Sequence, residues 1–333
     1  MAKRGSLLAL LAAALLAACT SPQPPAAQNP PATPLPVPIA QASAPAASVP
    51  GVAANLPAKP AVAAAKTPLR KPRIALALGG GAAKGFAHVG VIRVLEQAGI
   101  QADIVAGTSA GSVVGAIYAS GMSGEKLYRR ALAMQADELK DFTLSSNGFL
   151  KGEKLQAFVN RQVGNRPIEA LPRKFAAVAT NFDSGERSVF RSGNTGLAVR
   201  ASAAIPNVFQ PVSIKGRRYV DGGLVSPVPV VAAREMGADI VIAVDISAKP
   251  VQRKSGLFGN FNQSVAIMNQ AALALELKQA DVILRPRVLS LGAAGFDQRR
   301  RAIREGEKVG REALPVIRRI VEAWQQRAQL ASR

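Results

Sequence analysis

Five short runs rich in Ile, Val and Ala stand at 73–78, 102–106, 174–181, 239–246 and 281–285. Each is close to continuously apolar. A strand with one wet face alternates, whereas a strand covered on both faces does not. Stretches with helical spacing of apolar residues lie between them, at 85–98, 110–119, 123–135, 153–162, 228–236, 263–279 and 299–327. Buried strands alternating with helices predict an α/β fold, a three-layer sandwich with a mostly parallel central sheet. In such a sheet ligands gather at the carboxyl ends of the strands.

The first 69 residues lie outside that pattern. Lys3 and Arg4 precede "LLALLAAALLAA" at 7–18, an apolar run too short for an ordinary transmembrane helix. The run ends in "LAAC", residues 16–19, which resembles the lipobox of bacterial lipoproteins. Cys19 is the only cysteine of the chain. The resemblance implies that Cys19 is lipidated and becomes the new N-terminus. Thr20 follows the cysteine where an aspartate would retain a lipoprotein in the inner membrane, so the pattern is compatible with outer-membrane sorting. Residues 20–68 hold 13 of the 23 prolines and no Asp, Glu or Arg, and such a segment cannot pack a core. The expected organisation is a lipoprotein signal peptide at 1–18, a lipidated cysteine and Pro/Ala-rich tether at 19–69, and a catalytic domain at 70–333. The expected location is the bacterial cell envelope, on the periplasmic side of the outer membrane.

A formal net charge of +21 fits a nucleic-acid binder or a protein held near anionic lipid. With three Tyr, one Trp and no recognisable nucleic-acid module, the lipid surface is the better reading, and secretion favours it too. The basic C-terminal stretch would be drawn to anionic headgroups, or is simply a solvated helix face with Ile317, Ile320 and Trp324 on its core side. One Cys and one His leave neither a disulfide framework nor a Cys/His metal cluster, so no metal or cofactor is expected.

Glycines follow the first strand in "ALGGGAAKGFAHVGV", residues 77–91. A dinucleotide fingerprint would need glycine where Ala82 and Lys84 stand, and a P-loop would need Ser or Thr after the lysine. Neither phosphate pattern is met.

The second strand opens "IVAGTSAGSVVGAIY", residues 104–118. Gly107-Thr108-Ser109-Ala110-Gly111 is G-x-S-x-G between a strand and a helix, the context in which that motif presents a nucleophile. A serine nucleophile needs a base. His88 lies upstream, about one turn into the helix after the glycine loop, and is expected to face that helix's neighbours. The alternative base is Asp221, which ends a strand and precedes Gly222 and Gly223. Taken alone, D-G-G is also an ordinary turn.

Glycine loop, G-T-S-A-G and D-G-G in this order resemble the patatin-like phospholipases, over roughly 72–310. "GFAHVGVIRVLEQAGI" and "RASAAIPNVFQPV" carry further likeness. The resemblance implies a Ser109–Asp221 catalytic dyad and an oxyanion loop of backbone N–H groups near Gly80, Gly81 and Ala82. Lys84 and Gly85 complete the loop pattern, and Gly107, Gly111, Gly222 and Gly223 support the two motifs. The family's loop reads G-G-G-x-[RK]-G, and Ala82 replaces its third glycine. The implied activity is hydrolysis of lipid carboxylic esters, with membrane lipid or another acyl ester as substrate. Two other readings stay open: an envelope protein that holds acyl chains without turnover, and a thioesterase or protease on the same scaffold. Asp183, in "TNFDSGERSVF", reads as a hairpin turn. The helix at 263–279 and the basic loop at 251–263 read as a buried element or as a lid. Oligomeric state is not legible.

Overall fold

The computed structural model describes residues 70–134, 150–247, 267, 269–291 and 298–331. The chain divides into two units, Met1–Ala63 and Ala64–Arg333, and every described residue belongs to the second. The expected signal peptide at 1–18, Cys19, the expected tether at 19–69 and the loop at 251–263 therefore lie outside the described residues. So does the start of the 263–279 helix.

An eight-stranded mixed sheet runs through the domain in the order β5-β6-β3-β2-β1-β7-β8, with β4 also paired to β3. The strands are β1 (Ile74–Leu78), β2 (Ile104–Thr108), β3 (Lys174–Asn181), β4 (Arg187–Phe190), β5 (Val212–Ile214), β6 (Arg217–Asp221), β7 (Ile240–Val244) and β8 (Val282–Leu284). The five strands read from apolar runs are the parallel ones, β1, β2, β3, β7 and β8. The other three strands, β4, β5 and β6, are antiparallel and form one end of the sheet.

The continuous apolar character of β1 and β7 has a direct cause. Ile74, Leu76 and Leu78 face one core layer with Ile240, Ile242 and Val244. Ala75 and Ala77 face the other with Val241 and Ala243. Both faces are covered, so both parities must be apolar. Helices α1 (Phe86–Gln97), α2 (Ala110–Ala119), α3 (Gly124–Ala133), α4 (Glu153–Gln162) and α5 (Thr195–Ser202) contribute to the large-residue layer, as does the long α8 (Arg299–Ala331). On the alanine-rich face α6 (Val230–Glu235) packs with α7, which spans 269–277. Small side chains there let the helices approach the strands closely.

Ile317 is fully buried, and Ile320 and Trp324 pack on the same core. The expected core-side placement of Ile317, Ile320 and Trp324 on the C-terminal helix therefore holds. Asp183 sits in the β3–β4 turn, paired with Arg218 on the surface. Among the described residues no helix is long and apolar enough to cross a membrane.

Candidate active site

β2 leads directly into α2, and Ser109 is the residue between them. Its backbone is at φ 53 and ψ −122, a strained conformation for a residue with a Cβ. The flanking glycines make that turn possible. A Cβ on Gly107 would lie 2.5 Å from the Gly111 carbonyl oxygen, and one on Gly111 would lie 2.0 Å from that of Leu78. Strand and helix meet too closely for any side chain at either position. The turn is held from below: the Ser109 N–H donates to Ser202 Oγ at 2.9 Å, and the Ser202 hydroxyl donates to the Val178 carbonyl at 2.6 Å. The Ser112 hydroxyl caps the Ser109 carbonyl at 2.6 Å.

Register brings Asp221 to this serine. Thr108 stands opposite Val178 on β3, and Asp221 opposite Ala179, the next residue. β4 also pairs with Val178 and Ala179. A strand has two edges, so β2 and β6 must share the edge that β4 does not use. They run end to end along it, and the residue after β2 meets the residue that ends β6. A Cβ on Gly222 would lie 2.1 Å from the Val178 carbonyl oxygen, so only glycine passes this junction.

The Ser109 hydroxyl stands near enough to the Asp221 carboxylate to favour its ionised form. Asp221 Oδ1 accepts the Gly223 N–H at 2.7 Å. Both side chains are buried, Ser109 at 6% and Asp221 at 7% exposure. Desolvation raises the Asp221 pKa to about 6, and Ser109 and the Gly223 N–H only partly oppose it.

The glycine loop arches over the same point. A Cβ on Gly80 would be 3.2 Å from Ser109 Cβ, and one on Gly85 would be 2.8 Å from Ala110 Cβ. Gly80 departs from the sequence expectation. Its N–H donates to the Pro227 carbonyl at 3.0 Å, so it lends close approach and no free donor. Residues Ala82–Gly85 form a 3-10 turn in which the N–H of buried Lys84 donates to the Gly81 carbonyl at 3.1 Å. Ala82, in the place of the third glycine, has φ 50.

His88 is fully buried beneath the loop. Its Nε2 lies 2.8 Å from the Gly79 carbonyl, which can only accept, so Nε2 carries the proton and donates. Burial lowers its pKa to about 4. A neutral imidazole committed to a carbonyl is a strut of the glycine loop, as its place on α1 implied.

Ser109 opens onto a cavity of about 110 Å³. Its walls are apolar, including Phe86, Val114, Ile117, Leu155, Phe158 and Phe209. Arg130, the one charged lining residue, lies over the Phe158 ring at 5.5 Å and bonds Gln162 through Nε. Sequence reasoning missed this cavity because its walls come from four helices, the glycine loop and the segment after α5. It also missed Ser202, whose only trace is its place in "RASAAIPNVFQPV".

Residues 76–234 match the family model described as patatin-like phospholipase. That stretch is similar to the patatin-like phospholipases. An uncharacterised NTE family protein of Mycobacterium tuberculosis is 39% identical over 178 residues, which is 53% of this chain and 49% of the relative. The lysophospholipase NTE1 of Coccidioides immitis is 32% identical over 203 residues, 59% of this chain and 13% of the relative. The chain thus spans at most about half the length of these two proteins. Among solved structures, VipD from Legionella pneumophila aligns with TM-score 0.48 at 15% identity, over 74% of this chain and 67% of that one.

Proposed function

We propose that this chain is a serine hydrolase of lipid carboxylic esters, of the phospholipase A or lysophospholipase kind, working through a Ser109–Asp221 dyad. The observation that carries the reading is the strand register that sets Ser109, on its strained turn at the wall of an apolar cavity, beside the buried Asp221 carboxylate. The domain match and the lysophospholipase relative support the substrate class.

The acyl chain enters the cavity and sets its ester carbonyl over Ser109. Asp221 takes the hydroxyl proton as Oγ attacks, forming the tetrahedral intermediate. N–H groups of Gly81 and Ala82 stabilise the oxyanion, with the N-terminal turn of α2 adding its dipole. The C–O bond breaks, and the leaving alcohol takes the proton from Asp221. Water then attacks the acyl-enzyme, giving its proton to Asp221 and, through it, to Ser109. The free fatty acid leaves.

The decisive experiment is labelling with a fluorophosphonate and turnover of lysophospholipid by wild type, Ser109→Ala and Asp221→Asn. Labelling confined to proteins that retain Ser109, with turnover lost in both variants, is the expected result. Turnover by folded Ser109→Ala would reject the nucleophile.

We further propose that Cys19 is lipidated and anchors the domain in the bacterial envelope, on the periplasmic side of the outer membrane. The "LAAC" ending of the apolar run motivates this. Fatty-acid labelling that persists in Cys19→Ser would reject it.

A further inference from the structure

The carboxyl edge of the sheet carries a second feature beside the glycine loop. β7 pairs with β1, and β8 lies outside β7. β7 runs out into Asp245, Ile246 and Ser247, and β8 into Arg285, Pro286 and Arg287. Asp245, Ser247, Arg285, Arg287 and Ser290, with Pro286 and Leu289, line a crevice of about 320 Å³.

The crevice adjoins the site. A Cβ on Gly81 would lie 2.8 Å from the Ile246 carbonyl oxygen, while Gly80 abuts Ser109. The glycine loop therefore has the apolar cavity on one flank and the crevice on the other.

Charge in the crevice is unevenly satisfied. Arg285 Nε donates to Asp245 Oδ2 at 3.2 Å, and the Ser247 hydroxyl takes the other Asp245 oxygen. The aspartate is thereby occupied. Arg287 is exposed and has no ion-pair partner among the described residues. Two arginines against one aspartate leave the crevice with one net positive charge, alongside two serines.

We propose that this crevice binds the phosphate of a phospholipid headgroup, with Arg287 as the main contact. The inference rests on Ser109 being the acyl nucleophile. Distances are compatible. From β2 to β8 is three strand spacings, about 14 Å. The path from ester carbonyl through glycerol to phosphorus is about six bonds, roughly 7 Å, and an arginine side chain reaches roughly 6 Å. Arginine also presents the fork geometry suited to phosphate oxygens.

The test compares 1-acyl-lysophosphatidylcholine with 1-acylglycerol of the same chain, in the same detergent micelles. The readout is the ratio of their kcat/KM values in wild type, Arg287→Ala, Arg287→Glu and Arg287→Lys. The ratio should fall about 10- to 100-fold in Arg287→Ala, further in Arg287→Glu, and recover in part in Arg287→Lys. An unchanged ratio, with acylglycerol still cleaved, overturns the subsite and spares the dyad. Absence of turnover of both esters by wild type overturns both. Inorganic phosphate, against chloride at equal ionic strength, separates a free anion from a headgroup. Inhibition lost in Arg287→Ala while the substrate ratio stays constant would assign the crevice to free phosphate and reject the headgroup.

Discussion

Asp221 lies beside Ser109 because β2 and β6 share one edge of β3, with Thr108 opposite Val178 and Asp221 opposite Ala179. Two residues 112 positions apart in the chain are set side by side by consecutive rungs of one strand. Removing either should abolish turnover. Ser109→Ala and Asp221→Asn are expected to lose roughly 1,000-fold or more in kcat while keeping the native circular dichroism spectrum. The wild-type kcat/KM should fall tenfold per pH unit below about 6, because the base acts only when ionised. An acid limb near pH 4 would contradict burial of Asp221.

The same carboxylate makes a stability prediction of definite sign. Its folded pKa, about 6, exceeds the ordinary aspartate value of 3.8. Between those pH values the folded state holds the proton more tightly, so this group's contribution is present at low pH and is lost as pH rises through 6. Asp221→Asn removes the charge. The variant should match wild type in stability near pH 4 and exceed it above pH 6, by up to about 3 kcal/mol. Urea melts of both proteins across that window check this; a constant gap would refute it.

Ala82 at φ 50 pays for a conformation that glycine adopts freely, at the one loop position where this chain departs from the family pattern. Ala82→Gly should raise the unfolding free energy by about 0.5–1 kcal/mol, the relief of strain exceeding the entropic cost. A lower melting temperature in the variant would show that the loop differs from the one described.

His88 acts oppositely in pH. Its folded pKa of about 4 lies below the ordinary histidine value of 6.5, so its contribution is full above 6.5 and declines as pH falls toward 4. His88→Ala strands the Gly79 carbonyl and should cost about 1–3 kcal/mol. The folded variant should still turn over ester, with the limb near pH 6 in place. Loss of that limb with folding intact would restore His88 as the base.

The cavity bounds the acyl chain. A 150 Å³ apolar cavity holds a benzene ring, so about 110 Å³ encloses roughly four or five carbons, and a longer chain must emerge. Each enclosed methylene should raise kcat/KM about fourfold, from about 0.8 kcal/mol, and then the gain should level off. Val114→Phe should lower the plateau to shorter chains while sparing acetyl esters. A chain-length series in both proteins decides this.

The order of strands and helices, the elbow glycines and the strand-ending acid were legible because each is a local pattern. β1, β2, β3, β7 and β8 announced themselves through burial on both faces. The short antiparallel strands did not: Arg217 and Arg218 of β6 are exposed, and β4 is only half-buried, so no continuous apolar run marks either.

What the sequence determined by itself is the chemistry on offer: one serine on a strained turn, one acid before two glycines, and one histidine too early in its helix. Tertiary structure decided which of these meet. The end-to-end run of β2 and β6 along one edge of β3 gives Ser109 its carboxylate, and burial there raises the acid's pKa. The Pro227 carbonyl takes the Gly80 N–H, and the Gly79 carbonyl takes the His88 proton. Each is a long-range pairing, fixed by strand register and packing, and no window of sequence contains it.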